Sequence, residues 1–149
     1  MSYYINPTEE DQCVFLTYEG GMTATEAESA RLEVNALLAA KRWNRVVVDV
    51  TQLQSIPTAL ELFEFSECLF LGLPRSARIA LVVRPDQTRH AGIVENIARN
   101  SGVIMTYFAD AEEATAWVNL MGSFAVPAQA TSLKARRNYR FRTPLKTKR

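Results

Sequence analysis

Residues 45–73 read RVVVDVTQLQSIPTALELFEFSECLFLGL, and the fold turns on how they are parsed. Val46 to Val50 is apolar except for Asp49, the pattern of a strand buried on both faces. Thr51 to Ile56 is polar and reads as a loop. Pro57 then opens a helix, because a proline in the first turn lacks only an amide that would be unbonded anyway. Along 57–72, Leu62, Phe65 and Leu69 share one face, while Glu61, Glu64 and Glu67 recur at i, i+3 as a slanting acidic stripe. Phe63 and Phe70 lie beyond that first face, and Leu60 and Leu71 lie beside the stripe. One sheet face cannot bury them all. A neighbouring helix, a partner chain or an apolar ligand covers the surplus, or it stays exposed.

Outward from this strand–loop–helix unit, the same alternation continues. Toward the C-terminus, Gly72 to Arg75 is a turn, and ARIALVV at 77–83 is a near-continuous apolar run suited to a central parallel strand. Arg84-Pro85-Asp86 ends it. A helix from about Gln87 to Ser101 turns Ala91, Val94, Ile97 and Ala98 inward, with Gly102 as its C-cap. Val103 to Phe108 is a strand. Asp110 caps a last helix facing inward through Ala114, Trp117, Val118 and Met121, and Gly122 ends it. Toward the N-terminus, Thr23-Ala24-Thr25-Glu26 is a capping box. It starts a helix to about Arg42 whose apolar face is Ala27, Ala30, Val34, Leu37 and Leu38. Cys13 to Tyr18 is rich in strand formers, Tyr3 to Ile5 is a shorter strand, and Asn6-Pro7-Thr8 is turn chemistry. The order β, β, α, β, α, β, α, β, α predicts an α/β domain. Its sheet has about five strands, mixed but mainly parallel, with right-handed crossovers and four helices.

At 149 residues, 48% of them hydrophobic, one domain with a sizeable core is expected. Residues 1–122 form it. Periodicity vanishes after Ser123, so 123–149 reads as a linker and a basic tail, expected to be disordered. The formal charge of +1 hides a split: Lys134, Arg136, Arg137, Arg140, Arg142, Lys146, Lys148 and Arg149 lie in the tail with no acid among them. Of 17 basic and 16 acidic residues, the remainder keeps 9 basic and all 16 acidic ones. Such splits mark interaction tails. Tyr139 and Phe141 between arginines suit nucleic acid or an anionic membrane, and the tail folding back on the acidic body is the alternative. No apolar run approaches the ~20 residues of a membrane helix, and MSYYINPTEED is no signal peptide. A soluble, cytoplasmic chain is expected, with Cys13 and Cys68 as reduced, buried thiols.

Four segments together resemble a known group. They are Phe15 to Gly20, VVVDVTQLQSIPT at 46–58, ARIALVV at 77–83 with its following helix and Asn100-Ser101-Gly102, and YFADAEEATAWV at 107–118. The chain resembles the SpoIIAA-like fold group, which includes STAS domains and the lipid-binding part of SEC14-like proteins. It looks most like the small bacterial STAS/SEC14-like proteins of largely unassigned function. The resemblance spans about residues 3 to 121 and implies a SpoIIAA-like fold. Anti-sigma-factor antagonists of the STAS group carry an Asp-Ser-Ser-Gly-like segment at the helix start, with a phosphorylated serine. Here the matching positions are Pro57-Thr58-Ala59-Leu60, so the Asp, the acceptor Ser and the Gly are missing. Thr58 and Ser55 are the remaining hydroxyls, and capping the helix is their simpler role.

Enzyme chemistry finds little support. His90, the one histidine, stands beside Arg89 at a helix start, a position usually at the surface or capping. Asp49 suits a strand end that binds loop amides better than a catalytic acid. No phosphate loop, GxSxG, HExxH or zinc spacing is present. No metal or cofactor is expected. A ligand in an open parallel sheet sits outside the C-terminal strand ends. There Arg84, Thr88, Arg89 and His90 with a helix N-terminus are candidates for an anion, against the simpler assignment of Arg84 and Arg89 as solvated charges. The leading expectation is a non-enzymatic STAS-like module that binds a protein partner or a second copy of itself through Leu60, Phe63, Phe70 and Leu71. The alternatives are a SEC14-like carrier of an apolar ligand, using the same residues, and a polyanion binder using the tail.

Overall fold

The computed structural model describes residues 3–21, 23–54, 70, 72–74 and 76–121. The helix expected at 57–72 lies almost wholly outside the described residues, as do Gly122 and the tail. Strand β1 (Tyr3–Thr8) turns at Glu9–Gln12 into β2 (Cys13–Gly20), followed by helix α1 (Ala24–Lys41) and β3 (Arg45–Leu53). Then come β4 (Arg78–Val82), a single 3-10 turn (Pro85–Gln87), α2 (Thr88–Asn100), β5 (Ile104–Phe108) and α3 (Ala111–Met121). The five strands form one sheet in the order β1-β2-β3-β4-β5. Only β1 is antiparallel to its neighbour; β2 to β5 are parallel. This is the expected mixed, mainly parallel α/β sheet.

Two boundaries differ from the sequence reading. Asn6, Pro7 and Thr8 are strand, paired with Phe15, Val14 and Cys13. Pro7 is tolerated because β1 is an edge strand, where a sheet can accept a residue without an amide proton. The turn falls instead at Gln12, which takes a positive φ of 52° and donates its amide to the Glu9 carbonyl at 3.2 Å. The second difference is that β3 runs on to Leu53 rather than ending at Val50.

The pleat puts alternate residues of each strand on one face, and the pairing registers line them up across the sheet. On the first face Val14, Leu16 and Tyr18 of β2 meet Val46 of β3 and Ile79 of β4. Helix α1 closes over that face with Ala30, Val34 and Leu38. It is held at its start by the predicted capping box: Thr23 Oγ1 accepts from the Glu26 amide at 3.2 Å, and Glu26 Oε1 accepts from the Thr23 amide at 3.0 Å. It ends on Arg42 in the left-handed region, φ 59°. Also on the first face, α2 sets Ala91 against Leu81 and Val83. The last helix, α3, covers the opposite face, where Ala114 and Val118 pack on Cys13, Val47, Ala80 and Val82. Its last turn is tied to the β1–β2 turn: Asn119 Nδ2 donates to Asp11 Oδ1 at 3.3 Å, and Arg45 Nη1 donates to the Asp11 carbonyl at 2.9 Å.

Candidate ligand site

The first face is not filled evenly. Helix α1 stands over β1 and β2, and α2 stands beside β5. Between them the middle of the face borders a cavity of about 200 Å³. Its floor is Val46, Val48 and Val50 of β3 and Ile79, Leu81 and Val83 of β4. One wall is Ala27, Val34 and Asn35 of α1, the other His90, Ala91 and Val94 of α2. The alanines leave room that larger side chains would occupy. The β3–β4 connection contributes Phe70 and Leu73 near its end, opposite Leu53 at its start. The lining is almost entirely apolar, so a polar group inside it has few partners.

The construction of the mouth explains why β3 is longer than its neighbour. The β3–β4 ladder ends at Asp49↔Val82. Past that point, among the described residues, no strand pairs with β3 on the β4 side, and side chains from the segment after β4 bond the carbonyls of Val50, Thr51 and Leu53. Gln87 Nε2 donates to the Val50 carbonyl at 2.8 Å, and Arg84 Nη1 donates to the carbonyls of Thr51 and of Leu53, the latter at 2.9 Å. Gln87 is buried, and its Oε1 accepts from the Arg84 amide at 2.8 Å. On the other edge the ladder with β2 slips between Thr17 and Glu19, so that two residues of β3 face one of β2. This bulge frees the Thr51 amide. Asp49 Oδ1 accepts from that amide at 2.8 Å and from Thr51 Oγ1 at 2.6 Å.

These contacts place the sequence candidates. Arg84 is partly exposed and also holds structure: besides bonding the two carbonyls it pairs with Asp86 at 3.0 Å. That pairing holds the Asp86 carboxyl below its usual pKa. Thr88 Oγ1 donates to the Pro85 carbonyl at 2.9 Å, and Arg89 is exposed. Asp49 serves its own strand. His90 departs most from expectation. It lines the cavity, and its Nδ1 is sealed from solvent with no hydrogen-bond partner. Nothing in the sequence marks this, since a histidine in a helix's first turn usually faces water. Of the interface candidates, Phe70 is half-buried and packs against the main core. Leu60, Phe63 and Leu71, like Ser55, Thr58 and the tail's Arg136, Arg137, Arg140, Arg142, Lys146, Lys148 and Arg149, lie outside the described residues. Sequence reasoning missed Gln87, whose only signal is its place three residues after Arg84, the spacing of a capping pair.

Two buried acids of the sheet stay protonated well into the alkaline range. Burial pushes Tyr18, at the cavity's edge, up to about 12, and Tyr3 beside it adds to the effect. Burial likewise pushes the Cys13 thiol, on the opposite face, up to about 12. A protonated, buried thiol is a poor nucleophile. Among the described residues, no group of three His, Cys, Asp or Glu side chains is placed to hold a metal ion, and no helix is long and apolar enough to cross a membrane.

A solved structure from Shewanella loihica PV-4, described as an uncharacterized protein from the DUF3478 family with a SpoIIAA-like fold, is similar to this chain. The TM-score is 0.52 at 16% sequence identity, over 78% of this chain and 91% of that one. No protein-family model and no curated protein matches the sequence. At this identity the likeness is one of fold. The SpoIIAA-like architecture implied by the four sequence segments is the one found.

Proposed function

We propose that the protein is a non-catalytic, STAS-like binding module that holds a small apolar molecule between α1, α2 and the sheet. The observation that carries this reading is the cavity of about 200 Å³ with its apolar lining. Close-packed interiors hold few voids larger than a water molecule, and a dry apolar cavity accepts apolar guests. The latch formed by Arg84 and Gln87 supports it by fixing the mouth without using the lining. The placement of Phe70 against the core favours a ligand over a protein partner at this one described position among the interface candidates.

The test is a cavity-filling substitution. Ala91 is buried, lines the cavity and points at Leu81 and Val83. Ala91→Leu should be tolerated at a cost of less than about 1 kcal/mol, because it enters empty space instead of overpacking a full core. It should also abolish binding of an apolar fluorescent probe that the wild-type protein binds with a saturable, one-to-one isotherm. A variant that loses several kcal/mol, or that binds the probe as well as wild type, removes the cavity reading.

A further inference from the structure

We propose that the ligand is a small apolar monocarboxylic acid and that His90 receives its carboxylate. This rests on the cavity reading above and specifies the ligand. Size comes first. A cavity of about 200 Å³ is below the ~300–1,000 Å³ of sites for drug-sized molecules. It is somewhat larger than an engineered cavity of ~150 Å³ that takes benzene. A single ring or a short acyl chain, roughly ten non-hydrogen atoms, is the matching scale.

Charge comes second. Among the described lining residues the one formal charge is Arg31, and no carboxylate is present. Arg31 is itself paired with Glu28 at 2.8 Å. With Arg31 so offset, an ammonium group would still find no carboxylate among the described lining residues, and a carboxylate would find no like charge among them.

The third point is the unmet nitrogen. Gln87 has both ends of its amide engaged. His90 Nδ1 is sealed from solvent and bonded to nothing. A hydrocarbon guest would leave it so. A carboxylate would accept a hydrogen bond from Nδ1–H, the stronger, charge-assisted kind, once the ring of the partly exposed His90 turns that edge toward the cavity. His90 is the third residue of α2, so the positive end of that helix adds to the preference for a negative group.

The experiment compares three ligands with the same tail and different ends, octanoate, 1-octanol and octylamine, on the full-length protein by isothermal titration calorimetry. Octanoate should bind at least about tenfold tighter than octylamine, as a single charge-assisted hydrogen bond suffices for that. His90→Leu should cut this preference to less than threefold, and His90→Gln, which keeps a donor, should retain most of it. If all three probes bind wild type alike, or if His90→Leu keeps the full preference, the assignment to His90 is wrong while the apolar cavity stands. If none of the three binds, the cavity reading itself falls. Should His90→Leu fail to fold, the end-group series on wild type and His90→Gln decides the matter.

Discussion

Arg84 and Gln87 stand in for a missing strand, supplying donors to carbonyls that β3 presents after β4 has stopped. Arg84→Met removes the Nη1 donor that serves both and leaves the Thr51 and Leu53 carbonyls short of partners in a half-buried place. We expect a loss of about 2 kcal/mol in urea denaturation, near the upper range for one charged donor because two acceptors share it. The same substitution frees Asp86. Its folded pKa is depressed, so its ion pair stabilises above the unfolded value, and that contribution fades as pH falls through the folded one. The Asp86 titration followed by NMR should therefore move upward in Arg84→Met. Cys13 supplies a different check. In a Cys68→Ser background, the native protein at pH 8 should react with a thiol reagent far more slowly than the denatured chain, because the buried thiol stays protonated. None of these roles for Arg84, Gln87 or His90 is written in the residues themselves. Each depends on which carbonyl or void lies across the sheet, and that is set by pairing between distant segments.

Helices α1, α2 and α3 were legible because their signals are local: a capping box at Thr23, apolar residues at helical spacing, Gly102 after the second. Strand lengths were not. β1 gains Asn6 to Thr8 and β3 gains Thr51 to Leu53 through neighbours far away in the chain, against the turn propensity of Asn and Pro. The element scale also yields two stability predictions. Thr23→Ala breaks the capping box of α1 and should cost about 1 kcal/mol, read from the urea midpoint. Gly72 has φ +85°, and a Cβ built there would meet Asn35 Nδ2 at 2.7 Å. Gly72→Ala therefore carries left-handed strain and pushes the Asn35 side chain aside, and should lose about 1–2 kcal/mol, mostly from the strain. Asn35 lines the cavity, so this change should also weaken probe binding.

For the whole molecule, alkaline pH is the vulnerable side. Cys13 and Tyr18 both have folded pKa values raised to about 12, from unfolded values of 9.0 and 10.0. A group raised in this way stabilises fully below its unfolded pKa, and the contribution is lost as pH climbs toward the folded one. Stability should hold to about pH 9 and decline from there to pH 12, with Tyr18 titrating only as the fold opens in an ultraviolet difference titration. The mostly parallel sheet, its five strands and the inward faces of α1, α2 and α3 followed from the sequence. The cavity did not, because a void is a property of how helices sit and no residue pattern announces it.

The strand order also bears on how the chain is made. Every strand pairs with the one synthesised just before it. Among the described strands no slot in the middle of the sheet waits for a later segment, as it must in folds whose first strands end up central. A polypeptide leaving the ribosome could thus extend its sheet one strand at a time, starting from the β1–β2 hairpin. The exposed growing edge is always the newest strand, and short sequence separation between partners favours rapid closure. A nascent chain arrested once β4 has emerged should already protect the amides of β2 and β3 from exchange, while α3, which covers the opposite face, has yet to arrive.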